Sequence, residues 1–201
     1  MLTLTSIPEL AQVPGPVFLA IGVFDGVHLG HQAVIGTAAR DAQAAGGTAV
    51  VVTFDPHPAK ILRPQESKRL LTATEHKIAL IRALGVSHLL VLTFDRAFAA
   101  TAPEDFVRQL VTAAQPLREI CVGQEWSFGK NRAGNLALLQ KLGTELGFHV
   151  VGVEPVTSEG VVVSSTAIRR AIESGDFATA TKMLGREYTI LGTVRSDEQT
   201  Y

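Results

Sequence analysis

The stretch Ile21-Gly22-Val23-Phe24-Asp25-Gly26-Val27-His28-Leu29-Gly30-His31-Gln32 decides the fold. The apolar run Val17–Ile21 leads into it and reads as a buried strand. Glycines at Gly22, Gly26 and Gly30 mark a turn, and a helical pattern begins at Gln32. A helix that starts there exposes unpaired N–H groups and the positive end of a dipole. Phosphates bind such places, and Gly30 lets one approach the backbone closely. His28 and His31, at i and i+3, share one helix face and are placed to hold the oxygens of a triphosphate. The same residues also suit a plain capped turn, since H-x-G-H alone is a short pattern. A zinc site is the weaker alternative: Cys121 is remote, and no H-E-x-x-H or paired-cysteine spacing occurs.

Outward from this turn, apolar runs recur at Ala49–Thr53, Leu89–Leu92, Ile120–Val122 and Val150–Val153. They are continuous rather than alternating, as in strands covered on both faces of a parallel sheet. Helical patterns lie between them: Gln32–Ala45 ending at Gly46-Gly47, and a stripe of Leu136, Leu139, Leu142 and Leu146. Thr72-x-x-Glu75 and Thr101-x-x-Glu104 read as capping boxes of two further helices. Alternation of strand and helix predicts an α/β fold, a Rossmann-like doubly wound parallel sheet, with ligands at the carboxyl ends of the strands.

With 201 residues, 46% of them hydrophobic and 18% charged, the chain is sized for one full domain. A formal net charge of −1 implies no general attraction for nucleic acid or an anionic membrane, so an anionic substrate needs local donors. One cysteine excludes an internal disulfide and suits a reducing cytoplasm. No signal peptide is expected from MLTLTSIPELAQVPGP, and no apolar run reaches the ~20 residues of a membrane helix.

Three more stretches follow strand-like runs or open a helix. In Thr53-Phe54-Asp55-Pro56-His57-Pro58, two prolines hold His57 in extended geometry, with Phe54 near enough to wall an aromatic ring. An ordinary proline-rich turn reads the same way. In Gly123-Gln124-Glu125-Trp126-Ser127-Phe128-Gly129-Lys130-Asn131-Arg132-Ala133-Gly134, aromatics and cations share one loop. Phe128 or Trp126 can stack on a planar ligand and Lys130 or Arg132 can hold phosphate, unless the rings turn into the core. In Ser164-Ser165-Thr166-Ala167-Ile168-Arg169, one hydroxyl caps a helix and leaves others, with Arg169 one turn on, as a second phosphate cradle or a solvated helix start.

Four strings in this order resemble the FAD synthetase family, the bacterial bifunctional riboflavin kinase/FMN adenylyltransferases. GVFDGVHLGHQ resembles the H-x-G-H signature of the nucleotidyltransferase superfamily, and TFDPHP is similar to T-F-x-P-H-P. The loop from Gly123 resembles G-x-D-F-x-F-G-x-x-R-x-G, with Glu125 where Asp or Asn is common and Trp126 where Phe is common. SSTAIR resembles S-S-T-x-I-R.

The resemblance implies adenylyl transfer from ATP to FMN, giving FAD and pyrophosphate, with Mg²⁺ bridging phosphates, few protein ligands to it and no metal-ligand residue assigned. It implies His28, His31 and Arg169 as catalytic groups. Gly22, Phe24, Asp25, Gly30, Ser164, Ser165 and Thr166 are expected on ATP. Phe54, Pro56, His57, Pro58, Glu125, Phe128 and Arg132 are expected on FMN. The adenylyltransferase-like domain is expected over residues 1–185. The tail 186–201 resembles the first strand of a riboflavin kinase domain whose remainder is missing from the string, so no riboflavin phosphorylation is expected. Small-molecule substrates, no nucleic acid and no membrane complete the expectation, and oligomeric state is left open. Transfer to another phosphorylated acceptor, and a non-catalytic flavin- or nucleotide-binding module, are the alternatives.

Overall fold

Along each central strand, successive side chains point to opposite faces of the sheet. Leu19 and Ile21 enter one apolar layer while Ala20 enters the other, and Val50/Val52 against Val51 and Ile120/Val122 against Cys121 repeat the division. Such strands are buried on both sides, so they read as unbroken apolar runs rather than as alternation. The protein is described by a computed structural model over residues 1–66 and 69–192.

The elements run β1 (Leu2–Leu4), β2 (Val17–Ile21), α1 (Leu29–Ala44), β3 (Thr48–Asp55), α2 (Pro58–Leu62), α3 (Thr74–Ala83) and β4 (His88–Thr93). There follow α4 (Arg96–Ala99), α5 (Pro103–Ala113), β5 (Leu117–Gly123), α6 (Leu136–Leu146) and β6 (His149–Val153). A small hairpin, β7 (Thr157–Ser158) and β8 (Val161–Val162), leads to α7 (Ser165–Glu173) and α8 (Phe177–Leu184). The main sheet has six strands in the order β1-β4-β3-β2-β5-β6. All its pairings are parallel.

The expected doubly wound α/β sheet is therefore present. Residues of α5 and α6 join one layer, while α1 and α3 join the other. The chain winds outward from β2 through β3 and β4, then returns to place β5 on the other side of β2. That reversal opens a crevice beyond the carboxyl end of β2, where the histidine turn sits. A third apolar cluster of Val163, Ile168, Ala171, Ala180 and Met183 packs α7 and α8 together, with Leu29 of α1 against it.

Three expectations are corrected. The edge strand β1 was not foreseen, because three residues carry too little pattern to read. Neither threonine caps its helix: α3 begins after Ala73 and α5 after Ala102, both without a side-chain cap. Thr72 is drawn instead to Asp25, and Thr101 offers its carbonyl to the Lys130 N–H. The strand expected in the tail is absent from residues 186–192, and its remainder lies outside the described residues.

Ile120 is fully buried on β5, between β2 and β6. Replacing it with alanine is expected to cost about 2–5 kcal/mol of stability, measured by urea unfolding.

Candidate active site

The histidine turn is built by backbone demands. His28 is the N-cap of α1, and its Nδ1 accepts the His31 N–H at 3.3 Å. An accepting Nδ1 leaves the ring proton on Nε2, so backbone geometry fixes the tautomer. The two imidazoles stack with centroids 3.5 Å apart at 20°. The edge-on ring of Phe24 sits 5.3 Å from His31. Phe24 is fully buried, so its side chain acts on the site through that imidazole. Gly22 makes room for it: a Cβ there would stand 2.7 Å from the Phe24 ring. A Cβ at Gly30 would press on the His28 ring at 3.2 Å.

Asp25 is buried and satisfied on every side. Oδ1 accepts the N–H groups of Leu71 and Thr72, each at 3.0 Å, and Oδ2 pairs with the Arg169 guanidinium. Arg169 also donates from Nε to the Arg69 carbonyl at 2.8 Å. Ser165 donates to the Asp25 carbonyl at 3.0 Å, while Ser164 caps α7 through the Ala167 N–H at 3.2 Å. Thr166 is exposed on the first turn of that helix. Loop 22–28, the segment before α3 and the start of α7 are thus locked together around one carboxylate.

His57 repeats the device seen at His28. It caps α2, with Nδ1 accepting the Ala59 N–H at 3.0 Å, between a cis Pro56 and a Pro58 that opens the helix. His31, His57, Arg63, Ser165 and Arg169 line a cavity of about 280 Å³ with Asp25 at its wall. A broader groove of about 1070 Å³ runs along α5 past Ala97, Arg108 and Lys130, and none of these cavity residues lines it.

The flavin-type motifs meet through a row of rings. Phe54 contacts Phe94 and Phe98, each at 5.9 Å, and Phe98 contacts Phe106 at 5.7 Å. Phe106 then reaches Phe128 at 6.2 Å. Phe54 and Phe128 are buried core residues rather than open walls. Phe128, expected to stack on a ligand, lies beneath the half-buried Trp126 at 4.4 Å and 11°. Trp126 is therefore the more accessible ring of that pair. Gly134 closes the loop against Phe128, whose ring a Cβ would meet at 2.7 Å. Glu125 and Arg132 are exposed, and Arg132 holds the Ser127 hydroxyl at 2.8 Å.

Burial pushes His28 down to about 4, with Asp25 opposing the shift in part. Burial, then His28 and Lys77, hold His31 well below the ordinary value, and burial lowers His57 as well. At neutral pH these imidazoles are uncharged N–H donors. Lys77, unremarked in the sequence, is buried among carbonyls with its amine lowered to about 8 by burial. Its Nζ donates to Val23 O, Thr53 Oγ1 and Phe54 O at 3.3, 3.1 and 3.0 Å, tying the ends of β2 and β3. Its spacing on the buried face of α3, four residues before Ile81, was the available signal. Thr72 and Arg186 were also missed, the first because its motif reads as a cap.

Cation ligands are scarce at this cavity, because both oxygens of its carboxylate, Asp25, are already engaged. A separate grouping of Asp41, Glu119 and Cys121 lies at β5, where burial and Glu119 push the thiol up and keep it protonated.

Two outcomes follow from this chemistry. Asp25→Ala takes the carboxylate from the largely buried Arg169 guanidinium and leaves two amides without their acceptor, and is expected to lower stability by about 3–5 kcal/mol in thermal unfolding. His28 is depressed on folding, so the unfolded chain binds its proton first as pH falls. Stability is then expected to decline from pH 6.5 towards 4, and His28→Ala should flatten that limb of a denaturant titration.

The FAD synthetase family matches residues 11–167. The chain is 38% identical over 178 residues to the bifunctional riboflavin kinase/FMN adenylyltransferase of Bacillus subtilis (strain 168), covering 88% of this chain and 55% of that one. It is 32% identical over 195 residues to the protein of the same description from Escherichia coli (strain K12), covering 96% and 62%. The chain thus spans little more than half the length of these curated relatives. A crystal structure described as a macrolide-efflux protein from Streptococcus pneumoniae superposes at a TM-score of 0.77 with 26% identity, over 94% of this chain and 61% of that one. Among the described residues here, no helix is long and apolar enough to cross a membrane. The family match takes in both the histidine turn and the hydroxyl run that the fold brings to one cavity, and the chain belongs to the FAD synthetase family.

Proposed function

We propose that this chain transfers an adenylyl group from ATP to FMN, giving FAD and pyrophosphate. One observation carries the reading: His31, near one end of the chain, and Ser165 and Arg169, near the other, line a single cavity beside His57. In this reading, a phosphate oxygen of FMN attacks the α-phosphorus of ATP, and the bond to the bridging oxygen of the β-phosphate breaks. FMN phosphate is already ionised, so no strong base is required.

The barrier to relieve is repulsion between two anions. Unit charges ~4 Å apart repel by roughly 4 kcal/mol at an effective dielectric near 20. The Nε2–H of His28 and the ring of His31 serve the α- and leaving phosphates as positioned donors, working by preorganisation rather than by net charge. Ser165, Thr166 and Arg169 serve the β/γ side. Ser164 is spent on the helix cap. Pro56, Pro58 and His57 hold the flavin phosphate end, and Trp126, with Phe54 and Phe128 behind it, takes the ring system between Glu125 and Arg132. Mg²⁺ travels with the nucleotide as MgATP. The Asp25 oxygens are committed elsewhere, and no step is assigned to a protein-held cation.

Purified protein incubated with FMN, ATP and Mg²⁺ is expected to yield FAD by mass spectrometry, and riboflavin in place of FMN to yield none. No dinucleotide from FMN overturns the reading. His31→Ala is expected to reduce the rate by about 10²–10³; a rate within about threefold of the unmodified protein removes that imidazole from the mechanism.

A further inference from the structure

The turn before α1 is strained. Phe24 has φ 54° and Val27 φ 41°, in the left-handed region. A β-branched residue there is an outlier that persists only where its surroundings hold it. Part of what holds Val27 comes from beyond α8. The Arg186 guanidinium donates to the carbonyls of Gly26 at 2.7 Å and Val27 at 3.1 Å. Gln32 adds a bridge from the same Val27 carbonyl to that of Leu184, 2.9 Å each way. Gly185, at φ 70°, packs so closely that a Cβ would fall 2.6 Å from Leu29. Thr189 reaches His76 on α3 at 3.2 Å.

We propose that residues 185–189 form a strap that sets the shape of the nucleotide turn, with Arg186 as its positioning residue. The proposal rests on the reading that this turn binds ATP. The carbonyls that Arg186 takes immediately precede His28, whose extended backbone must begin α1 and present both imidazoles. Without the guanidinium, two carbonyls lose a charge-assisted partner and Val27 loses part of what keeps it left-handed. The turn then relaxes, and His28 and His31 move off the phosphates. Among the described residues, no hydrogen bond joins the strap to Trp126 or to the proline loop, so the flavin side is expected to be unaffected. The adenylyl unit accordingly extends through Thr189 rather than ending at Gly185.

The test uses the full chain with Arg186→Met and Arg186→Lys. Calorimetric titration with MgATP alone is expected to show affinity weakened at least tenfold for Arg186→Met and by less for Arg186→Lys, which keeps the charge. In turnover, KM for ATP should rise while KM for FMN stays within twofold. Unchanged ATP affinity in Arg186→Met, or equal loss towards ATP and FMN, overturns the strap. Should Arg186→Met not fold, an unaltered ATP affinity in Arg186→Lys overturns it equally. If the unmodified protein binds ATP but forms no FAD, the adenylyl reading fails while the ATP titration still decides the strap.

Discussion

Asp25 is a carboxylate taken out of water at the point where three separate parts of the chain meet. An unpaired charge there would be costly, so the fold is obliged to bring it partners. It finds them 46 and 47 residues away at Leu71 and Thr72, and 144 away at Arg169. No single element supplies more than a share. The turn after β2, the approach to α3 and the first turn of α7 therefore stand or fall together, and the cavity exists because they do.

The same arrangement alters how the cavity handles anions. Arg169 arrives with Nε and one Nη already bound, so part of its charge is balanced before any substrate enters. The imidazoles are neutral because they are buried, and two of the three are also helix caps whose Nδ1 atoms are occupied. What remains for a phosphate is a set of N–H groups whose directions are set by backbone geometry. Donors fixed in advance need little reorganisation when charge shifts during reaction. Positive charge is supplied partly from beneath, by the amine of Lys77 among the carbonyls at the ends of β2 and β3.

Much of the architecture could be read in advance. Val17–Ile21 and Ile120–Val122 are apolar at every position because the sheet is covered twice, and a strand of that kind declares itself in any order of elements. Placement was legible wherever it follows from local spacing: His28 and His31 three apart at one helix start, and Ser165 and Arg169 four apart at another. It was not legible where a residue's partner is remote. Thr72-x-x-Glu75 satisfies every local rule for a cap, yet the Thr72 hydroxyl goes to Asp25 because a buried carboxylate competes for it. Phe128 and Trp126 are near-equivalent as symbols, and only packing under α5 sends the first inside and leaves the second outside.

By itself, the sequence determined the class of fold, five of the six strands of its main sheet, and the residue types proposed to face a phosphate, because periodicity and turn chemistry act over a few residues. Tertiary structure alone decided that Asp25 organises the cavity, that the histidines are uncharged, and that Arg186 grips the turn from behind. Those outcomes depend on desolvation and on partners far apart in the chain, and neither is encoded in local spacing.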